Sequence, residues 1–221
     1  MSFDYSEKMI VFNAVIFDLD GTIYNKRGIE IFYVFRFLFK LKYLKAYLRA
    51  RKRCKGKDFF NQTNLEAAIL KEMSSMTGEP EDNCKKFITD FMHFFVCTLK
   101  RWYKPNKMVL HAILYFSKQN IPMICLSDFT KVPERLTALG IDTKLFVETV
   151  GTESFGAFKP IARPFLEIAQ KLNIPTEKIL VIGDRPDTDG DGAKNANMIF
   201  LKIPDDFSKL NMITKYGKIN T

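Results

Sequence analysis

Short runs of consecutive apolar residues punctuate the chain at five places: AVIF (Ala14–Phe17), IPMICL (121–126), LFVETV (145–150), KILVIG (178–183) and MIFLKI (198–203). Runs of this length without polar alternation predict strands buried on both faces. Between the later runs lie segments of helical spacing with recognisable start signals. Pro133 opens PERLTALG, which Gly140 closes, and Pro164 lies in the turn before FLEIAQKL. Strands alternating with helices predict a parallel sheet, because a parallel return needs a crossover of about a dozen residues. The predicted fold class is α/β, a doubly wound parallel sheet.

From about residue 28 to 100 that alternation stops. The interval is rich in Phe, Tyr, Leu, Lys and Arg, has Gly56, Gly78 and Pro80 as its strong breakers, and shows helical spacing in LEAAILKEM and CKKFITDFMHFF. It predicts an α-helical module inserted after the first strand, after which Pro105 opens an amphipathic helix through Phe116 that rejoins the sheet. The expected division is a core of residues 1–26 and 104–221 and a helical unit of 27–103. Within residues 31–50 the charges do not keep to one stripe: either the helix breaks near Lys40, or it is enclosed on more than one side.

At 221 residues and 47% hydrophobic, the chain is long enough for one substantial core and a second small module. It contains no run of 18 uncharged apolar residues, and its first 20 residues lack the pattern of a secretory signal, so the expected location is cytoplasmic. Cys54, Cys84, Cys97 and Cys125 form no CxxC pair, which argues for reduced structural thiols. His93 and His111 lie far apart among apolar neighbours, as ordinary helix residues do. Of the 34 Lys and Arg, ten fall in residues 31–57, where there is no acid, so the net charge of +9 belongs to one segment.

The strongest chemical signal is Asp18-Leu19-Asp20-Gly21-Thr22, at the carboxyl end of the first predicted strand, where loops of an open α/β sheet diverge and ligands collect. Two carboxylates two residues apart are costly to crowd together unless a cation neutralises them, so the pair predicts a metal as well as an acid and a base. Further polar groups follow in order. Ser127 ends the IPMICL run, Lys159 sits in GAFKP before a helix, and Asp184 follows Gly183 at the end of KILVIG, with Asp189 five residues later.

Taken together, this ordered set resembles the four motifs of the haloacid dehalogenase superfamily: Asp18 and Asp20 in the first, Ser127 in the second, Lys159 in the third, Asp184 and Asp189 in the fourth. The likeness covers about residues 12–26 and 104–203, and the helical insertion lies where that superfamily places a cap. The resemblance implies a Rossmann-like core and a phosphohydrolase. Asp18 would attack phosphorus to form an aspartyl-phosphate, and Asp20 would protonate the leaving alkoxide and then deprotonate water. Mg2+ would be held by Asp18, the backbone carbonyl of Asp20 and Asp184, with Asp189 as a further ligand or support. Ser127 and Lys159 would bind the phosphoryl oxygens, with help from the Asp128 N–H. Dehalogenases of the superfamily lack the second Asp, so Asp20 favours phosphate chemistry on a small phosphorylated substrate. A phosphomutase shares the same motifs.

The basic segment remains open to several readings: a solvated helix face, steering of anionic substrates, or contact with nucleic acid or an anionic membrane. A binding protein using this segment, with the core as scaffold, is the alternative from another class.

Overall fold

The computed structural model describes residues 9–216 and 219–220. Five strands form one parallel sheet: β1 (Ala14–Phe17), β2 (Met123–Ser127), β3 (Glu148–Gly151), β4 (Ile179–Gly183) and β5 (Ile199–Lys202), in the order β3-β2-β1-β4-β5. The chain therefore winds outward from β1 in both directions, and its switch point lies between β1 and β4. Every residue of β1, β2 and β4 is buried, as their unbroken apolar runs require.

Alternate side chains of β1 feed two apolar layers. Val15 and Phe17 pack with α5 (Lys107–Lys118), α6 (Val132–Ala138) and α9 (Phe207–Tyr216); Ala14 and Ile16 pack with α7 (Arg163–Leu172) and α8 (Asp191–Asn195). Helices cover both faces, which is the doubly wound arrangement expected. The third run departs from expectation. Residues 143–145 make a 3-10 turn, started by the Asp142 carboxylate accepting from the Lys144 N–H at 2.9 Å, and the strand begins only at Glu148.

The insertion between β1 and α5 is wholly helical: α1 (Ile29–Arg36), α2 (Leu41–Cys54), α3 (Gln62–Thr77) and α4 (Glu81–Trp102). Asn61 caps the start of α3 through the Asn64 N–H, and Gly78, with φ 71, ends it. The open question at Lys40 resolves as a break: a 3-10 turn at Leu38–Lys40 separates α1 from α2. Phe91 is the centre of the insertion's core, with ring centroids 4.8 Å from Tyr33 and 5.4 Å from Tyr47. Phe95, one turn on, meets Phe129 edge-on at 5.7 Å, so the insertion packs against the loop that follows β2.

Phe91→Ala should lower stability by about 3–5 kcal/mol in urea unfolding of the full chain, the usual cost of emptying a buried aromatic site. A loss below about 1 kcal/mol would show that this cluster is not the insertion's core.

Candidate active site

Three adjacent strands, β2, β1 and β4, deliver Ser127, Asp18 and Asp184 to the same sheet edge. The register pairs Phe17 with Cys125 on one side and Ile182 on the other, and the Asp18 N–H donates to the Ile182 carbonyl at 2.9 Å. Asp18 is thus fixed at the middle of the edge by backbone geometry alone.

Its carboxylate is buried and held at both oxygens. Lys159 Nζ donates to Oδ1 at 2.5 Å and Thr22 Oγ1 to Oδ2 at 2.8 Å. The same ammonium donates to Asp189 Oδ1 at 2.7 Å and to the Leu126 carbonyl at 3.2 Å. One carboxylate oxygen from each of Asp18, Asp184 and Asp189 lies within 4.8 Å of the other two. A turn of π-helix at Pro186–Gly190 settles which acids of that crowded loop take part: Asp189 is buried in the cluster, while Asp187 is exposed and pairs with Arg185.

Two glycines make room for this crowding. A Cβ on Gly21, whose φ is +103, would lie 2.2 Å from the Asp184 carboxylate, and one on Gly183 would lie 2.5 Å from that of Asp189.

The electrostatics follow from two buried carboxylates sharing one ammonium. Burial and the neighbouring Asp189 and Asp20 push the Asp18 carboxyl up to about 7, against the pull of Lys159. Burial and Asp18 likewise raise Asp184. Burial works against the Lys159 ammonium, but Asp18 and Asp189 outweigh it and keep the amine protonated. The surplus negative charge suits a hard divalent cation. Lys26 shows that the donors converge: its Nζ reaches the Asp20 carbonyl at 2.7 Å and Asp184 Oδ2 at 3.0 Å, so one cation spans both.

Asp20 faces a different set. Its carboxylate accepts from Tyr24 OH at 2.6 Å and Ser127 Oγ at 2.8 Å, and pairs with the fully buried Arg135. Burial pushes the Asp20 carboxyl up, but Arg135 with these hydrogen bonds outweighs it and holds the group below its usual value. Ser127 Oγ also accepts from Arg135 Nη1 at 3.0 Å and the Phe129 N–H at 3.1 Å, so this hydroxyl is turned toward Asp20. The Asp128 carboxylate accepts from Thr152 Oγ1 and the Lys159 N–H, tying the loop after β2 to the GAFKP turn.

A cavity of about 430 Å³ opens over this edge. Asp18, Asp20, Asp128, Lys159, Asp184 and Asp189 line it from the sheet, and Leu48, Arg51, Lys52 and Lys55 of the insertion line it from above. All the residues singled out from sequence therefore gather here, with Ser127 one hydrogen bond behind Asp20. Arg135, Tyr24 and Lys26 join them without having been singled out, as does Thr22, which the first motif contains but to which no role was given.

A sheet edge of this kind, with clustered acids, a buried lysine and a helical insertion overhead, is the framework of a class of hydrolases. The chain belongs to the haloacid dehalogenase-like hydrolases, whose family model matches residues 12–197. A glyceraldehyde 3-phosphate phosphatase of Methanocaldococcus jannaschii is 23% identical over 201 residues, covering 86% of this chain and 84% of that protein. One from Methanopyrus kandleri is 39% identical over 70 residues, 32% of this chain, and that match spans 30% of the M. kandleri protein. Among solved structures, a β-phosphoglucomutase from Clostridium difficile superposes with a TM-score of 0.62 at 20% identity, covering 87% of this chain and 84% of that one. A 2-haloacid dehalogenase from Pseudomonas syringae does so at 0.60 and 17%, covering 87% and 86%. At these identities the structural likeness concerns the fold.

A carboxyl raised from 3.8 to about 7 holds a proton in the folded state that the unfolded chain has already released, so stability falls as pH rises through that interval. The depressed Asp20 acts below 3.8 and leaves this window untouched. The thermal midpoint of the metal-free protein should therefore drop across the window, and added Mg2+ should restore it most at the upper end. A midpoint that climbs through the window in chelator would contradict the surplus of buried negative charge.

Proposed function

We propose that the protein is a Mg2+-dependent phosphomonoesterase that works through an aspartyl-phosphate on Asp18. The observation that carries the reading is the buried Asp18 carboxylate at the cavity floor, oriented by Lys159 and Thr22, with Asp20 two residues on. The phosphatase names of both curated relatives support it. Residues 27–103 act as the cap, and residues 1–26 and 104–221 as the core.

An Asp18 oxygen attacks phosphorus as the bond to the leaving oxygen breaks, and Asp20 supplies the proton that the departing alkoxide takes up. Asp20, now ionised, then removes a proton from water as that water attacks phosphorus, which frees inorganic phosphate and restores Asp18. The contact with Arg135 favours the ionised carboxylate, so it suits the second step; for the first, the carboxylate must part from Arg135. Lys159 offsets charge on the phosphoryl oxygens, and Ser127 reaches them once it is released from Asp20. The donor set fits Mg2+, with Asp18, the Asp20 carbonyl, Asp184 and Asp189 to hold it. When bound, it supplies positive charge that draws the phosphate dianion against a carboxylate nucleophile.

A screen of small phosphate esters, glyceraldehyde 3-phosphate among them, should show Mg2+-dependent release of inorganic phosphate. Asp18→Asn should abolish it with the fold retained by circular dichroism, and Asp20→Asn should lower kcat by about 10²–10⁴-fold. Equal turnover by wild type and Asp18→Asn would end the assignment, and isomerised substrate without free phosphate would identify a mutase instead.

A further inference from the structure

The segment from α1 into the 3-10 turn is apolar on two faces. Ile29, Tyr33 and Phe37, four residues apart, are buried in the insertion's core. Ile31, Val34, Phe35, Leu38 and Phe39 recur at helical spacing on the other side and face solvent, with Phe35 77% and Phe39 99% exposed. The buried stripe already docks the helix, so the exposed one contributes nothing to folding. Contiguous apolar exposure of this kind marks a contact surface. Trp102, 59% exposed, extends it: its ring stacks on Phe32 at 5.9 Å, and the Arg101 guanidinium lies over the same Trp102 ring at 5.2 Å.

The charge beside this ridge defines what it meets. Arg36 turns toward the buried stripe, over the Phe37 and Phe94 rings, whereas α2, which follows the ridge directly, exposes Lys42, Lys45, Arg49 and Lys52 on a single face. Lys40 and Lys42 pair with Asp90 and Glu79, whereas no acid of the described residues pairs with Lys45, Arg49 or Lys52. A second copy seated on this face would set like basic stripes against each other. A nucleic acid would match the charge and has rings to stack on in Phe35, Phe39 and Trp102, but it has no use for exposed Ile31, Val34 and Leu38 between them, which offer no ring. A surface with negative headgroups above a hydrocarbon interior matches both features.

We propose that the α1 ridge, with the basic stripe of α2, docks this protein on anionic lipid bilayers. The attachment is interfacial, since no helix of the described residues is long and apolar enough to cross a membrane. Lys52 belongs to the stripe and also lines the cavity, so the docking face runs up to the mouth of the site.

Trp102 is the only tryptophan in the chain and lies at the ridge, so its emission reports insertion directly. The full chain should sediment with phosphatidylcholine vesicles that contain phosphatidylglycerol, with a blue shift of Trp102, and much less with phosphatidylcholine alone. Phe35→Glu/Phe39→Glu should weaken vesicle binding by at least about tenfold, and Lys45→Glu/Arg49→Glu should weaken it at low salt. Both variants should keep the wild-type thermal midpoint and turnover of soluble phosphate esters. Absence of binding to anionic vesicles at physiological salt, or binding unaffected by the Phe substitutions, overturns the proposal. So does a concentration-dependent dimer that Phe39→Glu dissolves, or a nucleic-acid gel shift without vesicle binding.

Discussion

One ammonium shared between two buried carboxylates is the constraint on which the site depends. Lys159 lies between Asp18 and Asp189, and each of the three is almost fully shielded from solvent. Removing one partner of a buried ion pair costs about 3–5 kcal/mol because the other charge is left uncompensated. Here the deficit is present from the start, since two acids face one base. The fold holds this arrangement by other means: ladder bonds fix Asp18, the π-turn presses Asp189 inward, and Gly21 and Gly183 lack the atoms that would exclude the carboxylates. A scaffold held rigid elsewhere can keep a charge imbalance at its edge, and an imbalance of that sign is what draws a divalent cation.

The same edge separates two aspartates that are nearly adjacent in sequence. Asp18 and Asp20 sit two residues apart, yet burial and acidic neighbours raise the first, while Arg135, Tyr24 and Ser127 depress the second. Environments that push paired carboxyls apart assign them different tasks. Arg135 is completely buried, its guanidinium 4.4 Å from the Phe95 ring of the insertion, and its Nε has no hydrogen-bond partner. The insertion therefore touches Asp20 through a single intermediate side chain. A shift of α4 relative to the sheet would be felt at Asp20 through that contact.

How far the sequence could be read follows from how local each cause is. Strands β1, β2 and β4 were legible because burial on both faces forces an unbroken apolar run. The edge strand β3 was misplaced by three residues because Asp142 turns the start of LFVETV into a 3-10 turn. Asp18, Lys159, Asp184 and Asp189 were legible because each follows a strand or precedes a helix. Arg135 was not: it lies on α6 with the spacing of any helix residue, and only tertiary packing against Phe95 and Asp20 sets it apart. Thr22 ends the first motif and Lys26 follows it closely, but nothing in their spacing says that Thr22 reaches Asp18 and Lys26 reaches Asp184. The orientation of Ser127 toward Asp20 depends on Arg135 and was equally out of reach.

The basic segment shows why composition alone underdetermines a surface. Its ten cations, indistinguishable by count, part into separate environments once folded. Lys40, Lys42 and Arg53 pair with acids of the insertion, and Arg51 is buried against Glu153 of the core. Lys52 and Lys55 face the cavity. The interleaved aromatics divide in the same way: Tyr33, Phe37 and Tyr47 build the insertion's interior, while Phe35 and Phe39 project from it. A helix apolar around most of its circumference has no preferred inward face in the sequence; the rings of α4 choose one, and whatever they leave uncovered is available to a partner. Arg51 to Glu153 and Arg163 to Asp58 then fasten this two-sided unit onto the sheet. The insertion consequently presents Arg51, Lys52 and Lys55 to the cavity and its leftover apolar ridge to the outside from one fixed position.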